Sequence, residues 1–350
     1  METPIKSLSL EEIHRLLERE GLPSFRADQI VSWIYAKGSS SYDEMTNLPK
    51  ALRTSLPERF PLNPSSVHAK RESQDGSRKY LVRFGDGVVT ETVGLPSSDG
   101  RLTVCASSQA GCSMGCIFCA TGKAGLTRNL LPGEIVDQVN IVQKDFNRRV
   151  TNVVVMGQGE PFANFDNTIA ALRIMNHPKL LNIGARHITV STCGLLSGIR
   201  KFSDLTEQFT LAVSLHSALQ PIRDRIMPSL RSQPLESLKQ ELASYEKKRG
   251  RRYTFEYALM NDVNDSPKDL QALIDFCTGM LCHVNLIPLN DMGDSSLKGS
   301  DRKILSHWLD ELEAHGIAAS IRKSRGADIE AACGQLVASY SRGDAAGPAQ

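Results

Sequence analysis

The chain has 350 residues, of which 41% are hydrophobic and 23% are charged, and its formal net charge is +2. Such a chain is expected to fold into one large globular domain with a smaller one, and its small net charge does not by itself indicate a nucleic-acid partner. No apolar run is long enough to span a bilayer, and the first residues lack the apolar core of a secretory signal. We therefore expect a cytoplasmic protein with reduced thiols.

The first hundred residues are predicted to contain a small helical domain, residues 1–64, followed by a β-hairpin and linker over 65–100. One helix begins at residues 9–12, a second covers 26–38, and a third begins near Leu48. The hairpin is indicated by the apolar runs on either side of Gly85-Asp86-Gly87, a sequence typical of a turn.

Residues 101–340 are predicted to form an α/β domain, because strand and helix patterns alternate along them. About six βα units are too few for a closed eight-stranded barrel, so we expect a partial (β/α)6-type barrel with its site at the carboxyl ends of the strands. The tail, 341–350, is predicted to be disordered. The predicted strands are 103–108, 151–156, 187–192, 209–215, 253–259, 283–288 and 318–323, and the predicted helices are 132–145, 166–176, 234–248, 267–278, 301–315 and 328–339.

Three cysteines in one short loop, Cys112, Cys116 and Cys119, give the spacing C-x3-C-x2-C. Three such thiolates can hold three irons of a [4Fe–4S] cluster and leave the fourth iron open to a small molecule. This arrangement is typical of radical S-adenosylmethionine (SAM) enzymes. A zinc site is the alternative, but no second C-x2-C pair follows at the usual interval. A disulfide framework is not expected in a long chain with eight cysteines and no secretory signal.

Polar or glycine-rich groups follow several predicted strands and are candidate SAM ligands. Gly159 would let the backbone approach the ligand closely, and the Glu160 carboxylate could accept hydrogen bonds from the SAM ammonium group. For Gly159 and Glu160, the position one βα unit after the cysteine motif favours a ligand over a strand-to-helix turn. Each of the other candidates is by itself more typical of a turn residue, and only their shared position at strand ends supports a binding role. The remaining candidates are Ser191, Ser214, Leu215, His216 and Asn290.

The other cysteines divide into two kinds. Cys193, Cys277 and Cys282 lie within or beside apolar runs and fit the usual role of a free cysteine as a small buried residue. Cys333 differs, because small residues flank it and a basic run precedes it, so its thiol could be accessible and activated. Cys105 lies on the first predicted strand, seven residues before the cluster motif.

The chain resembles the RlmN/Cfr family of radical SAM RNA methyltransferases over nearly its whole length. The contexts of Cys105 and Cys333 are specific to that family, whereas the cluster motif is common to the superfamily. The matching stretches are 25–30, 43–49, 105–112, 156–161 and 331–336.

The resemblance implies a mechanism that uses two SAM molecules per turnover. The first methylates Cys333, and the second is cleaved to a 5′-deoxyadenosyl radical that takes hydrogen from the new methyl group. The resulting carbon radical adds to an adenine ring carbon, and Glu91 helps to remove the ring proton. Cys105 then attacks the sulfur of Cys333, which releases the methylated RNA and leaves a transient disulfide. A ring carbon of adenine is not nucleophilic, so simple displacement on SAM is not available to it.

The resemblance also implies the partners. The substrate is an adenosine of 23S ribosomal RNA, and the helical domain 1–64 is a candidate RNA-binding module. Methylation of carbon two, with tRNA as a further substrate, is favoured by Pro161 and by residues 128–130 and 322–326. Methylation of carbon eight, which gives antibiotic resistance, is the alternative, and a non-catalytic metal-binding RNA adaptor is a third. We expect a monomer that receives electrons from a donor such as flavodoxin and its reductase, with no membrane partner.

Overall fold

The computed structural model describes residues 4–62, 64–290 and 297–336, so the predicted disordered tail lies outside the described residues. No helix of these ranges is long and apolar enough to cross a membrane. The helices are α1 (Leu10–Arg19), α2 (Ser24–Val31), α3 (Lys50–Arg59), α4 (Ala120–Ala124), α5 (Pro132–Asp145), α6 (Phe165–Asn176), α7 (Leu196–Ser203), α8 (Gln220–Ile226), α9 (Leu235–Arg249), α10 (Pro267–Cys277) and α11 (Arg302–Ala314). The strands are β1 (Ser66–Glu72), β2 (Arg78–Arg83), β3 (Val89–Pro96), β4 (Leu102–Cys105), β5 (Gln109–Gly111), β6 (Leu126–Asn129), β7 (Asn152–Val155), β8 (Ile188–Thr192), β9 (Thr210–Ser214), β10 (Tyr253–Leu259), β11 (Cys282–Pro288) and β12 (Ala319–Ile321).

The N-terminal helices begin as the sequence predicts. Ser9 caps α1 by accepting the backbone N–H of Glu12, whose carboxylate accepts the N–H of Ser9 in return. The second predicted helix is divided between α2 and a short π-helical turn, Ser32–Ala36. A buried ion pair joins this region to α5, with Lys6 Nζ 2.7 Å from a carboxylate oxygen of Asp137.

One ten-stranded sheet forms the centre of the molecule, in the order β1-β2-β3-β4-β7-β8-β9-β10-β11-β12. All pairs from β4 to β12 are parallel, and the sheet does not close, which confirms the predicted partial barrel. The predicted hairpin is β2 and β3, and an additional strand, β1, precedes it. Because β3 pairs with β4, these antiparallel strands extend the barrel sheet directly. The domain boundaries given above stay predictions.

The last predicted helix, 328–339, is wrong over its described part. A short 3-10 turn, Ala327–Ile329, is followed by irregular backbone up to residue 336. Glu330 and Gly334 have φ angles of 54° and 83°, in the left-handed region that a right-handed helix does not use. Three short helices were not predicted, namely α4, α7 and α8.

Candidate active site

The three cysteines of the C-x3-C-x2-C motif lie around one cavity of about 170 Å³ at the carboxyl end of the barrel. Their loop runs from β5 to α4, and its turn is closed by the Cys119 N–H, which donates to the Cys116 carbonyl at 3.1 Å. Burial raises the pKa of the Cys112 thiol to about 11 and also raises that of Cys116, and the neighbouring Cys119 thiol contributes to both shifts. Desolvated thiols this close together are unfavourable as free anions.

These thiols fit an iron–sulfur cluster better than a single metal ion. Within the described ranges, no group of three His, Cys, Asp or Glu side chains is arranged to hold one metal ion. Three thiols distributed around a cavity instead suit a larger group with soft, cationic irons. The cluster's irons would also favour the thiolate form that burial disfavours.

Glu160 forms one wall of this cavity and is held by three donors of the chain. One carboxylate oxygen accepts the Phe162 N–H at 2.9 Å and the Thr192 hydroxyl at 2.8 Å, and the other accepts the Cys193 N–H at 2.7 Å. Burial raises the pKa of this carboxyl, whereas the hydrogen bonds oppose the shift. Gly159 has a φ of 101°, and a Cβ there would lie 2.7 Å from the Gln109 backbone nitrogen, so a larger residue would not fit.

The strand ends bring some of the predicted ligands together. Ser191, Ser214 and His216 line the same cavity as the cysteines. The Nδ1 of His216 accepts the Ala258 N–H at 2.9 Å, and burial lowers its pKa to about 3, with Arg223 adding to the shift. The imidazole is therefore neutral, with its proton on Nε2.

Two predicted ligands have other neighbours. Leu215 does not line the cavity, and its N–H donates to the Glu256 carbonyl at 3.0 Å. Asn290 lines an adjacent cavity, where its side-chain amide donates to the Cys333 carbonyl at 3.1 Å. The structure thus places Asn290 beside the Cys333 loop.

Cys105 and Cys333 share that second cavity, which has a volume of about 120 Å³. Cys333 lines both cavities, so it lies where the two meet. Burial raises the pKa of Cys105 to about 12, and the nearby Cys333 adds to this shift, whereas Arg322 opposes it. The two thiols that lie 228 positions apart in sequence are therefore neighbours in the fold.

The loop that carries Cys333 is hydrogen-bonded to α4, which directly follows the loop of Cys112, Cys116 and Cys119 (the cluster loop). The Ala120 N–H donates to the Gly334 carbonyl at 2.8 Å, and the Thr121 hydroxyl donates to the Leu336 carbonyl at 2.5 Å. Because Ala120 directly follows Cys119, these bonds fix Cys333 relative to the cluster site.

Arg322 and Glu256 were not predicted as site residues, and both line the cluster cavity. A guanidinium nitrogen of Arg322 lies 3.7 Å from a carboxylate oxygen of Glu256, which also accepts the Asn285 amide at 2.8 Å. The proximity of Cys333 raises the pKa of Arg322, as do Glu256 and Cys105, whereas burial opposes the shift. A lone acidic residue within the apolar strand β10 is the sequence signal that could have indicated Glu256.

Cys193 is the third site residue that was missed. The sequence favoured a plain buried residue, yet its side chain lines the cluster cavity and hydrogen-bonds to Glu160. Burial, followed by Glu160 and Cys116, raises its thiol pKa.

Glu91, the predicted base, lies outside both cavities. It is buried on β3, with a carboxylate oxygen 3.2 Å from Lys79 Nζ. Lys79 in turn donates to the carbonyl of Glu330 at 3.1 Å. Glu91 is therefore linked to the Cys333 loop through Lys79 and does not line the space beside the two thiols.

Comparison with known proteins places the chain in a family. The model described as "Ribosomal RNA large subunit methyltransferase N-terminal domain" matches residues 4–61, and the radical SAM superfamily model matches 107–276. A "Probable dual-specificity RNA methyltransferase RlmN" of Clostridioides difficile is 44% identical over 96% of this chain and 98% of its own length. A Synechocystis relative with the same name is 44% identical over 96% of this chain and 95% of its own length. The chain belongs to the RlmN family of radical SAM RNA methyltransferases.

A solved structure agrees with this assignment. A radical SAM methyltransferase from Sphaerobacter thermophilus superposes with a TM-score of 0.91 at 42% identity, covering 95% of this chain and 99% of the other. Membership of the RlmN family confirms the predicted fold class and enzyme class, with SAM and a [4Fe–4S] cluster as cofactors.

Proposed function

We propose that this RlmN-family enzyme methylates carbon two of an adenosine in 23S ribosomal RNA, and also an adenosine of tRNA. The observation that carries the proposal is the position of Cys333, which lines both the cluster cavity and the cavity that holds Cys105. A methyl group on Cys333 could thus be activated on one side and released by a second thiol on the other. The relatives' names favour the RlmN branch over carbon-eight methylation and describe a dual specificity.

In this proposal Cys112, Cys116 and Cys119 hold the cluster. With SAM bound, the reduced cluster would supply the electron for the reductive cleavage of SAM. The proposed SAM contacts in the cavity of the three cysteines are Gly159, Glu160, Ser191, Ser214 and His216, whereas Leu215 and Asn290 lie outside that cavity and would contact SAM only if they moved. Glu160 already binds three donors of the chain, so it would offer its remaining lone pairs to the SAM ammonium group.

Cys333 would lose its proton and accept a methyl group from the first of two SAM molecules, with S-adenosylhomocysteine as the leaving group, and Arg322 lines the same cavity. Bonding of the methyl carbon radical to adenine leaves a radical adduct that loses the ring proton and one electron, and the oxidised cluster would accept that electron. Cys105 then attacks the sulfur of Cys333. A sulfur–sulfur bond forms, the carbon–sulfur bond breaks, and its electron pair leaves with the carbon, which takes up a proton. Glu91 lines neither cavity and pairs with Lys79, so it would reach the adenine proton only after a rearrangement.

The adenine must leave its stack to reach this site. Lys323, Ser324 and Arg325 line the Cys105 cavity, and Lys323 is exposed. We propose that these residues contact the phosphates next to the flipped base and that residues 1–64 bind RNA further away. The electron donor would be a flavodoxin with its reductase, and the enzyme would work as a cytoplasmic monomer.

Mass spectrometry of nucleosides tests the proposal. Unmodified 23S RNA and tRNA are incubated with reconstituted enzyme, SAM and a reductant, and Cys333→Ala serves as the matched control. We expect 2-methyladenosine from the wild type and none from the variant. An 8-methyladenosine product would contradict the assignment to carbon two, and a protein that cleaves SAM without forming any methyladenosine would refute the substrate.

A further inference from the structure

Arg223 on α8 is a buried cation whose hydrogen-bond acceptors in the described residues are all neutral. Its side chain is among the largest fully buried ones, with 2% exposure for the residue. One terminal nitrogen donates to the Cys193 carbonyl at 2.7 Å and to the Ser214 carbonyl at 3.5 Å, and the other to the Met227 sulfur at 3.5 Å. Its Nε finds no acceptor in the part of the chain that the structure describes.

A guanidinium in this position needs a negative charge nearby. Removing an ion from water costs several kcal/mol unless an opposite charge compensates it. Burial lowers the pKa of Arg223, and the groups that oppose this shift are Cys193, Cys116 and Asp224. The Met227 sulfur, which accepts from Arg223, packs in the same buried cluster as Cys116, and Met227 lines the cavity of the three cysteines, so the cation lies next to that cavity.

The structure also couples Arg223 mechanically to the cluster loop. The Ile117 N–H, one residue after Cys116, donates to the carbonyl of Ile226 at the end of α8 at 3.1 Å. The Ser229 hydroxyl donates to the Ser113 carbonyl at 3.2 Å, which is a second connection to this loop. The positive charge is thus held at a fixed distance from the cluster loop.

We propose that Arg223 is the buried counter-cation of the iron–sulfur cluster and that it raises the reduction potential of the cluster. A cluster with three thiolate ligands is anionic, and reduction adds one more negative charge, which a fixed cation favours. The potentials of such clusters depend on net charge, hydrogen bonding and exposure. In this proposal Arg223 touches neither SAM nor the RNA, and it affects the reaction only through its charge next to the cavity of the three cysteines. The inference depends on the cluster and not on the identity of the RNA substrate.

The experiment compares Arg223→Gln, which removes the charge, with Arg223→Lys, which keeps it. Arg225→Gln is the matched control, because Arg225 lies two residues away on the same helix and is exposed. Each protein is reconstituted with iron and sulfide, its iron content is measured, and it is titrated with dithionite without SAM while the reduced cluster is followed by electron paramagnetic resonance.

We expect Arg223→Gln to lower the equilibrium constant for reduction at least tenfold, about 59 mV for a one-electron couple. Arg223→Lys and Arg225→Gln should stay within about threefold of the wild type, well under that tenfold step. If Arg223→Gln holds its cluster and has the potential of Arg225→Gln, then Arg223 only clamps the ends of β8 and β9 and the proposal is overturned.

Cluster-free protein resolves the case in which Arg223→Gln cannot be loaded. If the variant still melts cooperatively without the cluster, its failure to load means that the cation is needed to hold the anionic group, which supports the proposal. If cooperative melting is lost, Arg223 is a residue of the fold itself and the proposal fails. The Arg223→Lys protein is a separate test of the proposal. If its equilibrium constant for cluster reduction also falls tenfold, the positive charge is not the cause of the effect.

Discussion

Gly334→Ala tests whether the Cys333 loop must be held in place for methyl transfer. Gly334 has a φ of 83°, and a Cβ at this position would lie 3.1 Å from the Phe118 carbonyl oxygen. An L-residue in the left-handed region costs about 1–2 kcal/mol. The close contact adds a displacement of a few tenths of an ångström between this loop and the cluster loop. Because misplacement of about 1 Å can reduce a rate roughly a hundredfold, we expect methyl transfer to fall about tenfold.

Gly250→Ala is the matched control for this variant. Gly250 also has a positive φ, 60°, but nothing lies within 4 Å of the added carbon, and it ends α9 away from both cavities. Both variants should lose similar stability in urea denaturation and keep a full iron content. Only Gly334→Ala should form 2-methyladenosine slowly in the mass-spectrometric assay. Equal rates for the two variants would refute the idea that the loop's position relative to Phe118 controls the reaction.

The remaining predictions concern thiols and charges. Cys333→Ala should keep its cluster and cleave SAM slowly without methylating RNA. Cys105→Ala should trap RNA covalently on Cys333, which would be seen as a nuclease-sensitive band shift. If Cys105 does not release the RNA, that band will be absent. The raised pKa of Cys105, about 12, keeps it a thiol at neutral pH, so its alkylation, followed by peptide mass spectrometry, should still rise about tenfold per pH unit from pH 7 to 10, while an ordinary thiol levels off near pH 9. Arg322→Gln should slow the alkylation of Cys105 further, because Arg322 lowers the pKa of that thiol. An unchanged rate would argue against an electrostatic effect of Arg322 on Cys105. Lys79→Met should lower the free energy of unfolding in urea denaturation because it removes the cation 3.2 Å from the buried Glu91 carboxylate, and a Lys79→Met, Glu91→Leu double variant should recover part of the loss.

The barrel could be predicted from the sequence because its strands are continuous apolar runs that alternate with helical patterns. Strands β8 and β10, for example, match the predicted ranges within one residue. The failed helix over 328–339 has a clear physical origin. Small and apolar residues at 331, 332 and 336 suit a helix, but hydrogen bonds from α4 and Asn290 hold Gly334 and Cys333 in a turn instead. Local propensity could not reveal those distant partners.

In the candidate site, too, some residues could be predicted from the sequence and others could not. The three cysteines of the cluster motif, with Glu160, Ser214 and His216, were found because spacing or position after a strand marks them. Cys193 and Arg322 also follow strands directly, β8 and β12, but were not predicted as site residues, whereas Arg223 carries no such mark. Their roles come from which groups the fold places next to them, and Arg223 in particular looks in sequence like any basic residue of an amphipathic helix.

The edge strands β1–β3 explain how a loop near the end of the chain is positioned at the carboxyl ends of the barrel strands. The β1–β2 turn binds it at several points: the Ser73 hydroxyl donates to Asp328 at 2.6 Å, and the Gly326 N–H donates to Asp75 at 3.1 Å. Lys79 on β2 adds its bond to the Glu330 carbonyl. From the other side, α4 holds residues 334 and 336. The Cys333 loop is therefore suspended between the hairpin and the cluster loop, so the segment that looks in sequence like a linker is part of the scaffold that sets the distance between the two reactive thiols.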